Sequence, residues 1–211
     1  MLSYIVIALA AYLLGSIPTG FVAGKARGID IRTVGSGNMG ATNVFRTLGK
    51  QAGIIVLLVD ALKGYAAVWV SGFLLNMFDL PGADPENYRI AAGIFVVLGH
   101  NFTCWLKFKG GKGIATSAGV FLALAPVAVG IAVGVWIIVF ALSRYVSVAS
   151  IMAAVTLPTV VWLTKDNLTL RLVTIALGLL AIVKHKGNIG RLLKGTESRF
   201  GKKPELQEAA K

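Results

Sequence analysis

The sequence holds one cysteine, Cys104, two histidines, His100 and His185, and nine acidic residues against 21 lysines and arginines. A single thiol excludes an internal disulfide and a cysteine-rich metal site, and reads as a small buried apolar residue. Two histidines, one cysteine and no clustered carboxylates beside the basic segments fall short of a zinc or calcium ligand set, so no metal and no cofactor is expected. No GxSxG elbow presents a serine nucleophile. No GxxxxGK[ST] spacing marks a nucleotide-binding loop.

What the chain does have is apolar length. Of its 211 residues, 56% are hydrophobic, above the roughly 45 to 50% of soluble domains, so an all-α polytopic integral membrane protein is expected. One membrane-embedded domain over residues 1–211, with no soluble domain, is the expected organisation. The first run, Leu2 to Val22, is long enough to span a bilayer and lacks the positive start and short apolar core of a signal peptide. Further runs extend from Ala52 to Leu75, Arg89 to Leu106, Ile114 to Leu142, Ser147 to Leu163 and Leu168 to Val183.

Charge fixes how the long run at 114–142 is read. The segment Gly24 to Gln51 carries Lys25, Arg27, Arg32, Arg46 and Lys50 against Asp30, which the positive-inside rule assigns to the cytoplasm. The connection Asn76 to Tyr88 has Asp79, Asp84 and Glu86 and no cation, so it is assigned outside. Lys107, Lys109 and Lys112 return the next loop inside. Splitting the long run at Ala125-Pro126 then puts Arg144 and the tail with Lys184, Lys186, Arg191, Lys194, Arg199, Lys202 and Lys203 inside as well. Seven transmembrane helices follow, N-terminus outside and C-terminus cytoplasmic, two of them short at about 18 and 24 Å of rise.

The net charge of +12 thus belongs to one face, where orientation and anionic lipid account for most of it. Nucleic acid is not an expected partner; the bilayer is. The glycines among the cations need another reason. Residues 35–50 read GSGNMGATNVFRTLGK, 99–119 read GHNFTCWLKFKGGKGIATSAG, and 185–201 read HKGNIGRLLKGTESRFG. Bare backbone beside hydroxyls, amides and cations suits a phosphate, because N–H groups can close on its oxygens where no Cβ intervenes. In the second segment, the turn and Lys112 are expected to meet an anion at the start of the following helix. All three segments fall on the face assigned to the cytoplasm, so one shared site is the economical reading.

Several residues carry two readings. Asp60 and Lys63 sit inside a span at i, i+3 spacing, as a structural ion pair or as catalytic groups. Each histidine stands near the end of a span, as a structural residue or as a phosphate donor or base. Neither has an aspartate five residues on, since those positions hold Trp105 and Gly190, so the HxxxxD arrangement of one large acyltransferase class is absent. Ser36, flanked by glycines, reads as an anion-binding hydroxyl. A transporter for an anionic phosphate metabolite is the alternative class. The acidic outward connection, the lack of a visible repeat and the clustering of polar motifs at one face weigh against it.

In order, the three segments closely resemble the motifs of the bacterial acyl-phosphate:glycerol-3-phosphate acyltransferase family, and the resemblance covers essentially the whole chain. It departs at Met39 and Thr103, where many members carry proline. The resemblance implies acyl transfer from acyl phosphate to the 1-hydroxyl of glycerol 3-phosphate, giving lysophosphatidic acid and inorganic phosphate, the first step of phospholipid synthesis. It implies a bacterial inner-membrane protein with its site facing the cytoplasm. By resemblance, Gly35, Ser36, Gly37, Asn38, Gly40, Thr42, Asn43 and Arg46 hold the acyl phosphate, and Arg46 stabilises the leaving phosphate. Gly110, Gly111, Lys112 and Gly113 bind glycerol 3-phosphate, with His185 and Asn188 closing the pocket. Glu197 either anchors the tail to an arginine or orients the attacking alcohol. Acyl phosphate is already activated, so direct attack assisted by a substrate phosphate is expected, with His185 as base the competing chemistry. Oligomeric state is left open, and a monomer is compatible with the sequence.

Overall fold

A computed structural model describes residues 2–78 and 84–201. Asp79 of the acidic connection and Lys202 and Lys203 of the tail lie outside the described residues. Within them the chain is helical, without strands: α1 (Leu2–Ser16), α2 (Thr19–Lys25), α3 (Ala41–Leu48), α4 (Lys50–Phe78), α5 (Pro85–Asn101), α6 (Ile114–Leu124), α7 (Pro126–Ser143), α8 (Val146–Thr164), α9 (Leu168–Lys184) and α10 (Lys186–Leu193).

Five stretches are long and apolar enough to cross a membrane, Leu2–Lys25, Lys50–Leu75, Pro85–Leu106, Pro126–Ser143 and Val146–Thr164. A sixth is made if α9 and α10, bent by 52°, count as one span, while Ile114–Leu124 is apolar but shorter. The chain breaks between α6 and α7 at Ala125, as the Ala125-Pro126 pair suggested, because proline cannot donate to the preceding turn. The first run, expected as one continuous helix, is broken. It kinks at Ile17-Pro18, where α1 ends and α2 begins, for the same reason.

Glycines set how closely the helices approach. A Cβ on Gly15 would lie 2.1 Å from Val96 O and one on Gly99 2.1 Å from Tyr12 O, which locks α1 against α5. Gly64 and Gly119 do the same for α4 and α6, meeting Thr116 O and Ala61 O. Such backbone contact is how membrane helices associate where lipid gives no hydrophobic drive. Around these pairs Ala92, Val96, Val97, Val120, Phe121 and Val161 form the main core. A second core of Ile31, Met39, Val44, Leu48, Val56 and Leu106 lies under residues 26–40. Leu58, Leu62, Trp69, Ile138 and Leu163 point outward and exposed, an apolar surface suited to lipid.

Candidate active site

The connectors between helices meet at one end of the bundle around a cavity of about 390 Å³. Ser36, Asn38, Gly40, Thr42, Asn43, Arg46, Lys112, Gly113, His185, Asn188 and Glu197 all line it, so residues from the three sequence segments do come together.

Asn43 organises the first segment. It is 2% exposed, its Oδ1 accepts from Ser36 N at 2.9 Å, and its Nδ2 donates to Ile31 O at 3.0 Å and Val34 O at 3.1 Å. Gly35 has φ +59°, and a Cβ there would lie 2.3 Å from Asn43 Oδ1, so the turn admits only glycine. These bonds revise the picture of a loop whose amides cradle a phosphate. Ser36 N is held by Asn43, Gly37 N by Val34 O, and Gly40 N by Asn38 Oδ1. The free donors are those of the α3 start. The first bonds of that helix run from Asn43 N and Val44 N to Gly40 O, which leaves the N–H groups of Ala41 and Thr42 directed out of its end, where the dipole favours an anion.

The second segment shows a similar difference. Gly110 N donates to Asn101 O at 3.2 Å and Gly111 N to His100 O at 3.0 Å. A Cβ on Gly110 would lie 2.0 Å from His100 O, and one on Gly111 2.1 Å from His100 Nε2. These two glycines let the turn press on His100 and stand behind the cavity wall, as do Gly35 and Gly37; Lys112 and Gly113 reach the cavity. The Lys112 ammonium donates to Asn188 Oδ1. Burial, opposed by Glu197 and reinforced by Arg191 and Arg46, lowers its pKa to about 8.

The third segment supplies the acid and the imidazole. Glu197 Oε1 accepts from Asn188 Nδ2 at 2.6 Å and Ser147 Oγ at 2.8 Å, and Oε2 from Arg191 Nε at 2.7 Å. Burial alone would raise its pKa, but the bonds from Asn188, Ser147 and Arg191 outweigh it and hold the carboxyl below its usual value. His185 lies just past α9, with Nδ1 2.7 Å from Ala181 O. A carbonyl only accepts, so Nδ1 carries the proton and Nε2 keeps its lone pair. Burial and the Lys112 charge push the His185 pKa down to about 4. Arg46 Nη2 donates to Ser198 O at 3.0 Å; the residue is exposed at the surface, and partial desolvation leads the causes that lower its pKa.

The cavity also includes His100 of the second segment and residues outside the three segments. Asp60 and His100 form its floor, with Asp60 Oδ1 2.8 Å from Lys63 Nζ, 3.0 Å from Thr19 Oγ1 and 3.5 Å from His100 Nδ1. Trp136 from α7 and Ser147 and Ser150 from α8 form a wall, and Trp136 Nε1 donates to Ser150 Oγ at 3.2 Å. Sequence reasoning weighed Asp60 and His100 but missed these three; their one signal was polarity within or beside an apolar run. Trp136, Ile114, Ala118 and Val133 also line an adjoining apolar cavity of about 90 Å³, with Phe121 and Leu177 deeper in.

Fold and cavity together define a multi-pass integral membrane protein with a basic site at one end of its bundle, joined to apolar space between helices. A family model described as glycerol-3-phosphate acyltransferase matches residues 5–195. A glycerol-3-phosphate acyltransferase of Trichlorobacter lovleyi is 47% identical over 190 residues, 90% of this chain and 94% of that protein. Another from Synechococcus is 47% identical over 205 residues, covering 96% and 98%. The crystal structure of PlsY, an integral membrane glycerol 3-phosphate acyltransferase, in its glycerol 3-phosphate form is similar at TM-score 0.86 and 39% identity, over 94% of this chain and 96% of that one. Its lysophosphatidic acid form gives TM-score 0.83 at 38% identity, with the same coverage. The chain belongs to the glycerol-3-phosphate acyltransferase family.

Proposed function

We propose that the protein transfers a fatty acyl group from acyl phosphate to the 1-hydroxyl of glycerol 3-phosphate. The observation that carries this reading is one cavity in which the α3 start, Arg46 and Lys112 gather positive potential beside an apolar annexe behind Trp136. A molecule with a phosphate head and a lipid tail fits that combination. The donor phosphate is assigned to Ser36, Asn38, Thr42, the α3 start and Arg46. The acceptor phosphate is assigned to Lys112 and Asn188, with the His185 Nε2 lone pair turned to a glycerol hydroxyl.

The glycerol oxygen attacks the acyl carbonyl carbon, forming the ester C–O bond as the bond from that carbon to the phosphate oxygen breaks. Inorganic phosphate leaves with the electron pair, and the hydroxyl proton passes to a substrate phosphate oxygen. Arg46 stabilises the charge that grows on the leaving group. His185, neutral and with a depressed pKa, is too weak a base for this proton and serves as a hydrogen-bond acceptor. Glu197 holds Asn188 and Arg191 in place.

The reading includes a single domain with seven spans, the N-terminus outside and the site on the cytoplasmic side of a bacterial inner membrane. Phosphate release by purified protein with acyl phosphate, with and without glycerol 3-phosphate, tests the chemistry. Acceptor-dependent release is expected; its absence in active protein removes the donor assignment. Labelled acyl group trapped on Ser36 would overturn direct attack.

A further inference from the structure

We propose that Phe200 is a positioning residue for the transfer step, fixing Arg46 through a strap that residues 197–200 lay across the site. The inference rests on the reading that Arg46 works on the donor phosphate. Arg46 is exposed and carries a long, rotamer-rich side chain. Its bond to Ser198 O can hold the guanidinium only as firmly as that carbonyl is itself held.

Two residues on, Phe200 supplies the hold. Its ring lies 5.3 Å from that of Phe45, the neighbour of Arg46 on α3, at 51°, and 5.4 Å edge-on from that of Phe140 on α7, at 75°. Its N–H donates to Arg144 O at 2.9 Å. Arg144 ends α7 in the left-handed region, φ 59°, which aims that carbonyl at the strap. Arg199 Nε adds a bond to Ser143 O at 3.3 Å. On the other side of Ser198, Glu197 is tied to Ser147, Asn188 and Arg191.

The Ser198 carbonyl therefore sits between two anchored residues, and one of them grips the helix that carries Arg46. Phe140 in turn stacks on Trp136 at 5.0 Å, the residue shared by the polar and apolar cavities. One aromatic chain thus links the strap, the α3 helix and the site wall. Placing a planar fork on a phosphate is sensitive to small displacements, and misplacement of about 1 Å costs on the order of 100-fold in rate.

The test is a double-mutant cycle on the purified full chain, with phosphate release as the rate and the thermal midpoint measured in parallel. In the wild-type background Phe200→Ala is expected to lower kcat about tenfold with KM for glycerol 3-phosphate within about twofold, and Phe200→Leu to restore most of the loss. In an Arg46→Lys background, Phe200→Ala is expected to change kcat by less than about twofold, because the fork it positions is gone. Equal losses in both backgrounds, or wild-type kcat in Phe200→Ala, overturn the proposal. If Phe200→Ala does not fold, Phe200→Val in the same cycle gives the coupling, with Phe200→Leu as the near-wild-type control. Wild-type protein is assayed first with acyl phosphate and with an acyl thioester. Use of the thioester alone overturns the donor assignment, and the cycle is then read on that donor and still decides the role of Phe200.

Discussion

Removing the Asp60 carboxylate separates a structural from a catalytic role for the buried pair. The side chains of Asp60 and Lys63 are 3% and 4% exposed and 2.8 Å apart. Truncating one partner of such a pair leaves an uncompensated charge and costs about 3 to 5 kcal/mol. Lys63 keeps its bond to Ile17 O at 3.0 Å, which favours the lower end, while Thr19 loses its acceptor, worth about 1 kcal/mol. Asp60→Ala should therefore destabilise by about 4 kcal/mol. At roughly 2 to 4 °C per kcal/mol for a chain of this size, the thermal midpoint drops by about 8 to 16 °C. Asp60→Asn should fall between, since its amide oxygen still accepts from Thr19. Asp60→Ala with Lys63→Met should recover most of the loss, because no charge is then stranded. Intrinsic tryptophan fluorescence during heating in detergent follows the transition, and rate per folded molecule is measured below it. A midpoint within about 2 °C of wild type, or a double variant as unstable as the single, refutes the reasoning. A rate loss of more than about 100-fold in protein that stays folded would instead make Asp60 catalytic.

Three further outcomes follow from the site. Lys112, with its pKa near 8, is cationic below that value and neutral above it, while a phosphate monoester gains its second charge near pH ~6. KM for glycerol 3-phosphate should be lowest between those values and rise as pH climbs through 8. Lys112→Arg should move that limb upward, and an unmoved limb counts against the assignment. Arg46→Lys should lose far more turnover than Ser36→Thr loses affinity, because a point charge cannot replace a bidentate fork; steady-state kinetics with near-normal turnover in Arg46→Lys would contradict this. His185→Gln keeps a hydrogen-bond acceptor without a base, so it should retain kcat at saturating acceptor while KM rises, and a collapse of kcat would restore the base role.

The apolar runs and the Pro126 break were legible because hydropathy and proline chemistry act locally. The convergence of three distant segments was legible for another reason, since charge asymmetry placed them on one face before any contact was known. Ser147, Ser150 and Trp136 were not legible. In a water-soluble helix the apolar stripe marks the inward face, but α7 and α8 are apolar all round because lipid lies outside, so the sequence does not say which residues turn inward. Glycines were ambiguous for a related reason. A glycine can free an amide for a ligand or bring two backbones together, and Gly110 and Gly111 do the second against His100, although their sequence suggested the first.

The buried pair and the anion site are connected through the kink at Ile17-Pro18. Proline at 18 removes one helix donor, and the kink leaves Ile17 O to accept from Thr19 N and from Lys63 Nζ. Lys63 is held there by Asp60, and Asp60 also takes the hydroxyl of Thr19 at the start of α2. One residue further on, Gly20 lies so close to the first-segment loop that a Cβ would sit 1.8 Å from Met39 O. The direction of α2 therefore sets the height of the loop that leads through Gly40 into α3. A charge pair in the middle of a span can in this way fix where Ala41, Thr42 and Arg46 present their donors, without touching a substrate. This separates two effects of losing Asp60: the stability loss comes from the stranded Lys63 charge, and a rate loss of up to about 100-fold comes from a displaced α3 start. Phe200 packs on the same helix at Phe45, so under the proposed function both anchors of α3 act on the donor phosphate through position alone.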